Sequence, residues 1–126
     1  MSKIISIGTA VPGYKHEQSA ILDFMQRVYA LNEAGKRKLK FLYRQGGIET
    51  RYSVIPDYSL PAAEWQFYPP SENLEPFPKL EKRMKWYQEH AATLSLQAIK
   101  KCIENFSEKK ITHLITVSCT GMYAPG

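Results

Sequence analysis

The chain has 126 residues, 44% hydrophobic and 23% charged, which suits one globular domain or part of one. Seventeen Lys and Arg against twelve Asp and Glu leave a net charge of +5, an excess that suits nucleic acid or anionic cofactors but is met as well by a solvated basic surface. No apolar run is long enough to span a bilayer, the start Met1–Gly8 is too short and β-branched for a signal peptide, and Cys102 and Cys119 make neither a disulfide framework nor a metal site, so the chain reads as cytoplasmic.

Lys3–Val11 is apolar and alternating, and predicts a strand closed by the turn pair Pro12-Gly13. Ile21, Phe24, Met25 and Val28 recur at helical spacing and predict a helix from about His16 to Leu31. Asn32 stops that helix or caps the next, which runs from about Glu33 to Gln45 with Leu39, Leu42 and Tyr43 on its apolar side. Gly46-Gly47 ends it. Ile48–Ile55 reads as a strand.

Six of the eight prolines fall between Pro56 and Pro78, where each fixes φ and removes a backbone donor. Trp65, Phe67, Tyr68 and Phe77 interleave with them, so about 56–78 is expected to be a packed loop rather than a free linker. Glu81–Phe106 is the longest predicted helix, its stripe of Tyr87, Ala91, Leu94, Ala98 and Cys102 fit to lie on a sheet. Ile111–Val117 is expected to be a core strand. The order implies an α/β architecture with a mixed or parallel sheet and helical crossovers.

Cys119 ends that last strand and is the first residue to weigh as a nucleophile. Activation needs a nearby base or a helix N-terminus. His113 lies six residues back, roughly 20 Å along a strand at about 3.3 Å per residue. Cys119 therefore reads better as a small residue lining a cavity. His113 and Cys102 read as core residues. His16 and His90 have no place that sequence alone assigns. The pairs Glu49/Asp57 and Glu72/Glu75 show no spacing of paired-carboxylate catalysis.

Three motifs in one order carry a resemblance. Ile5-Ser6-Ile7-Gly8-Thr9-Ala10-Val11-Pro12 is similar to the first strand of the chalcone synthase-like type III polyketide synthases. Gly47-Ile48-Glu49-Thr50-Arg51-Tyr52 resembles their I-x-x-R-Y segment. Ile111-Thr112-His113-Leu114-Ile115, Ser118-Cys119-Thr120-Gly121 and Ala124-Pro125-Gly126 resemble their ITHL strand, small polar turn and closing Pro-Gly. The match covers the family's N-terminal portion, and the cysteine points to the bacterial kind.

The resemblance implies a partial thiolase-like fold, the N-terminal part of the first half of an α-β-α-β-α sandwich, with all of 1–126 in one condensing-enzyme domain. It implies an acyltransferase that joins an acyl-CoA starter to malonyl-CoA by decarboxylative Claisen condensation. Coenzyme A thioesters would be substrates, with no prosthetic group and no metal, and the full-length parent would be a homodimer. The family's catalytic Cys, His and Asn match no position here, so the 126 residues alone are expected to be inactive. Cys119, Thr120 and Ala124 fall on the wall of the family's substrate pocket; at the position of Ala124 plant members place a longer methionine.

The cluster Lys36-Arg37-Lys38-Lys40-Arg44 reads either as a solvated face or as a site for coenzyme A phosphates. The family's basic positions fall on Lys38, Phe41 and Gln45. Lys38 keeps its charge, and Arg44, with Lys40, stands one helical step from the other two. Two other readings remain at this stage. One is a 3-oxoacyl-ACP synthase III-like enzyme, served by acyl carrier protein. The other is a small basic binding module, although no nucleic-acid-binding signature is present. The leading reading involves neither nucleic acid nor membrane. An incomplete sandwich is also expected to leave apolar surface exposed on the long helix.

Overall fold

The computed structural model describes residues 3–71, 73–104 and 111–118. Its regular elements are β1 (Tyr14–Glu17), α1 (Gln18–Val28), α2 (Glu33–Gln45), β2 (Thr50–Ser53) and α3 (Leu80–Ile103). Short 3-10 turns lie at Asp57–Ser59 and Ala62–Glu64. Pro12–Pro78 forms one compact unit, and the segments on either side of it form a second.

The 12–78 unit holds the buried side chains Ile21, Leu22, Phe24, Phe67 and Leu74, with His16 and Asp57 among them. β1 and β2 pair antiparallel, from Tyr14 opposite Ser53 to Glu17 opposite Thr50. The Gln18 amide extends the pairing by donating to the Glu49 carbonyl at 2.8 Å. α1 turns Ile21, Leu22 and Phe24 inward, as its apolar spacing requires, and carries Arg27 in its last turn, where a cation meets the free carbonyls. It ends at Val28; two residues on, Ala30 lies in the left-handed region with a φ of 42°.

α2 begins where its cap dictates. The Asn32 side chain accepts from the Gly35 amide at 2.9 Å, and Glu33 stands in the first turn with Lys36 3.0 Å away. Gly47, at φ 62°, carries the chain out of the helix in a conformation that L side chains rarely adopt. Leu39 and Tyr43 are half-buried, but Leu42, expected beside them, is 64% exposed.

The sheet corrects the sequence reading. The expected mixed or parallel sheet is, among the described residues, a two-stranded antiparallel pair. His16, expected to open the first helix, is instead the one buried residue of β1. A four-residue strand with one inward side chain carries too little alternation to register, and its partner Thr50–Ser53 lies beyond both helices. Lys3–Val11 and the described residues 111–118 form no strand. A strand exists only where a neighbour completes its ladder, and the described residues supply neither run with one. Ile111, Leu114, Ile115 and Val117 are exposed, and so is His113, which was expected in a core.

In the second unit, α3 follows its predicted span closely, but none of its residues is buried. Leu96 and Ile103 of this helix are exposed, in line with the expected exposed apolar surface, and Cys102 of the stripe is half-buried. Gly8 lies flush against this helix: a Cβ there would run into the Ala98 carbonyl oxygen and the Cys102 backbone. Tyr87 donates from its hydroxyl to Ser118 Oγ at 3.1 Å.

Candidate functional site

α2 is where the charge of the chain concentrates, and the helix divides that charge between two faces. Residues three and four apart share a face, and residues six apart do not. Lys40 and Arg44 line a groove of about 540 Å³ with Tyr43, with Asp23 and Leu22 of α1, and with Gly47, Ile48 and Glu49. Two carboxylates thus stand in the same groove as its two cations. Lys38 lies elsewhere, with Arg37, Phe41 and Leu42, along an open groove of about 450 Å³ that no carboxylate lines. The structure therefore brings Lys38 to Phe41, the second of the three family positions, and does not bring it to Arg44. Cys119, Thr120 and Ala124 lie outside the described residues.

A second cluster sits in the folded loop after β2, where sequence reasoning assigned no role. Asp57 is fully buried. Its Oδ1 accepts from the Gln66 amide at 2.9 Å, and its Oδ2 accepts from the Phe67 and Tyr68 amides at 2.9 and 2.7 Å. One carboxylate thus gathers the middle of the proline-rich segment around itself. The Trp65 indole donates to the Leu60 carbonyl at 3.0 Å, and Arg27 lies 5.7 Å from the Trp65 ring centroid. Of the loop aromatics, Phe67 is buried, Trp65 and Tyr68 are half-buried, and Phe77 is exposed.

His16 comes into this cluster from β1, 2% exposed, with one ring nitrogen at Ser59 Oγ and the other at the Ile55 carbonyl. The signal for Asp57 was faint but present: Pro56-Asp57 ahead of an aromatic, proline-rich run is turn chemistry. No pattern in the sequence announces His16.

Tyr58 stands between these groups and shares a 3.3 Å hydrogen bond with Tyr68. Burial, and after it that hydrogen bond, push its phenol well above the ordinary tyrosine range. The folded chain holds this proton more tightly than the unfolded chain does. The stabilisation is therefore complete below the unfolded tyrosine value, about pH 10, and is lost as pH rises beyond it. The urea midpoint of the chain is expected to fall on going from pH 9 into more alkaline solution. Tyr58→Phe is expected to reduce that fall; an equal fall in both would place its cause elsewhere.

An α/β segment with a basic helix ahead of an I-x-x-R-Y stretch has its counterpart among known proteins. Residues 1–126 match the family of chalcone and stilbene synthases, N-terminal domain, and the chain belongs to that family.

Within it, the type III polyketide synthase pspB of Penicillium soppii is 30% identical over 125 residues, which cover 98% of this chain and 29% of that protein. The chain thus spans less than a third of that relative's length. No solved structure matches. Among the described residues, no helix is long and apolar enough to cross a membrane, and no group of three or more His, Cys, Asp or Glu is placed to hold a metal ion.

Proposed function

We propose that the chain is the N-terminal portion of a type III polyketide synthase that condenses an acyl-CoA starter with malonyl-CoA. The observation that carries this reading is the family match over residues 1–126. The parent is read as thiolase-like, homodimeric and cytoplasmic, with coenzyme A thioesters as substrates and no prosthetic group. In it the starter loads on a cysteine supplied outside these residues. Loss of CO2 from malonyl-CoA then generates the carbanion that attacks the thioester. Cys119, Thr120 and Ala124 would shape the substrate cavity. The affinity with bacterial enzymes rests on Cys119.

Coenzyme A is placed on α2 in this reading. Lys38 offers its ammonium group on a face without carboxylates, the better electrostatic setting for a phosphate. Arg44 shares its groove with Asp23 and Glu49, so its pull on an anion is partly offset.

Two measurements test the proposal. Titration of the chain with coenzyme A is expected to give weak, salt-sensitive binding that Lys38→Glu reduces by about tenfold, the loss of one charge-assisted contact. Equal affinity in the variant would remove Lys38 from the site. The 126 residues alone are expected to release no CO2 from malonyl-CoA above a protein-free control. A protein joining them to the remainder of the relative's length is expected to do so in the presence of an acyl-CoA. Failure of that longer protein with every acyl-CoA and with malonyl-CoA would sink the functional reading.

A further inference from the structure

The contact between His16 and Ser59 ties a buried ring to an exposed hydroxyl. The Ile55 carbonyl oxygen can only accept, so the His16 Nε2 3.0 Å away carries a proton and donates it. When that is the only proton on the ring, Nδ1 is an acceptor and the Ser59 hydroxyl, 2.7 Å away, donates to it. A hydroxyl bonded to an imidazole that a third group orients is the arrangement of an activated nucleophile. The ring also stacks near Tyr14, with centroids 6.5 Å apart, and meets Tyr58 in a T-shaped contact at 5.5 Å.

The two partners differ in access. His16 is buried, whereas Ser59 is exposed and lines a recess of about 150 Å³. Phe24, Tyr58 and Trp65 give that recess apolar walls, and Asp23 and Arg27 bring one charge of each sign. The base thus stands behind the hydroxyl and the open space before it.

We propose that Ser59 is a nucleophilic serine, with His16 as its base, that takes an acyl group from a small acyl ester or thioester entering this recess. Ser59 Oγ attacks the acyl carbon while its proton passes to His16 Nδ1. The tetrahedral adduct collapses, the bond from the acyl carbon to the leaving oxygen or sulfur breaks, and the leaving group takes the proton from Nδ1. The products are a Ser59 acyl ester and a free alcohol or thiol, with His16 restored. This site is independent of the coenzyme A reading of α2 and of any residue outside the chain.

The test is acetylation of the full chain by p-nitrophenyl acetate, followed by peptide mass analysis. The folded chain is expected to gain an acetyl group on Ser59, absent in Ser59→Ala. His16→Gln keeps an acceptor and a donor in similar positions but removes the base. It is expected to slow labelling about 100-fold, the usual contribution of a positioned base. The same chain unfolded in urea is expected to label Ser59 no faster than its other serines. No adduct on Ser59, equal labelling of Ser59 in folded and unfolded chain, or an undiminished rate in a folded His16→Gln would overturn the proposal and leave the contact a structural tie. If circular dichroism shows that His16→Gln has lost its fold, the comparison of folded with unfolded native chain decides alone.

Discussion

Asp57→Ala is expected to cost the chain roughly 3–5 kcal/mol of stability, the scale of leaving several buried amides without an acceptor. The substitution removes the acceptor of the Gln66, Phe67 and Tyr68 amides in one step. These bonds are the means by which a segment too rich in proline for a ladder or a helix satisfies its backbone. Asp57→Asn keeps the shape and one acceptor oxygen, and is expected to lose about half as much. Urea unfolding followed by circular dichroism measures both. A loss below about 1 kcal/mol for Asp57→Ala, the scale of a single ordinary hydrogen bond, would mean that the loop is held by its aromatic rings instead.

Phe24→Ala is expected to cost a similar amount, about 3–5 kcal/mol, through the cavity it leaves. Phe24 is 5% exposed, and its ring meets three others: Tyr58 edge-on at 5.0 Å, with Trp65 and Tyr68 both at 5.4 Å. With Arg27, which lies over the Trp65 ring, it joins α1 to the proline-rich loop. Phe24→Leu, which refills part of the volume, is expected to lose roughly 1–2 kcal/mol. Trp65 packs directly on Phe24, so its fluorescence should shift to longer wavelength in the alanine variant before the helices unfold. An unshifted spectrum with full stability would show that the ring cluster closes without Phe24.

The helices were legible in the sequence because their signals are local. Asn32 as a cap, Glu33 in the first turn and Gly46-Gly47 at the end fix α2 within its own span, and the apolar stripe of α1 turns inward as its spacing requires. The strands were less legible because pairing is not local. Tyr14–Glu17 is a strand only because Thr50–Ser53 lies beside it, and Lys3–Val11 has the composition of a strand but no neighbour among the described residues to make it one. The same limit governs the sites. The charge on α2 could be seen in the sequence, but its division between the Lys38 face and the Arg44 groove depends on where α1 packs. His16 and Ser59 stand far apart in the chain, and no spacing rule joins them.

The β1–β2 ladder has a consequence for how this part of the chain can vary in length. It joins residues on either side of both α1 and α2, so it closes a loop that contains the turn Tyr29–Asn32. The entropy of such a closure grows only with the logarithm of loop length, by about 0.6 kcal/mol for each doubling. Residues inserted after Ala30 would therefore weaken the ladder very little, provided Asn32 still caps α2. Between Asp57 and Tyr68 there is no such latitude, since Asp57 measures the distance to Gln66, Phe67 and Tyr68 with its own two oxygens. Length changes among homologous sequences are expected to gather in the first turn and to avoid the stretch from Asp57 to Tyr68.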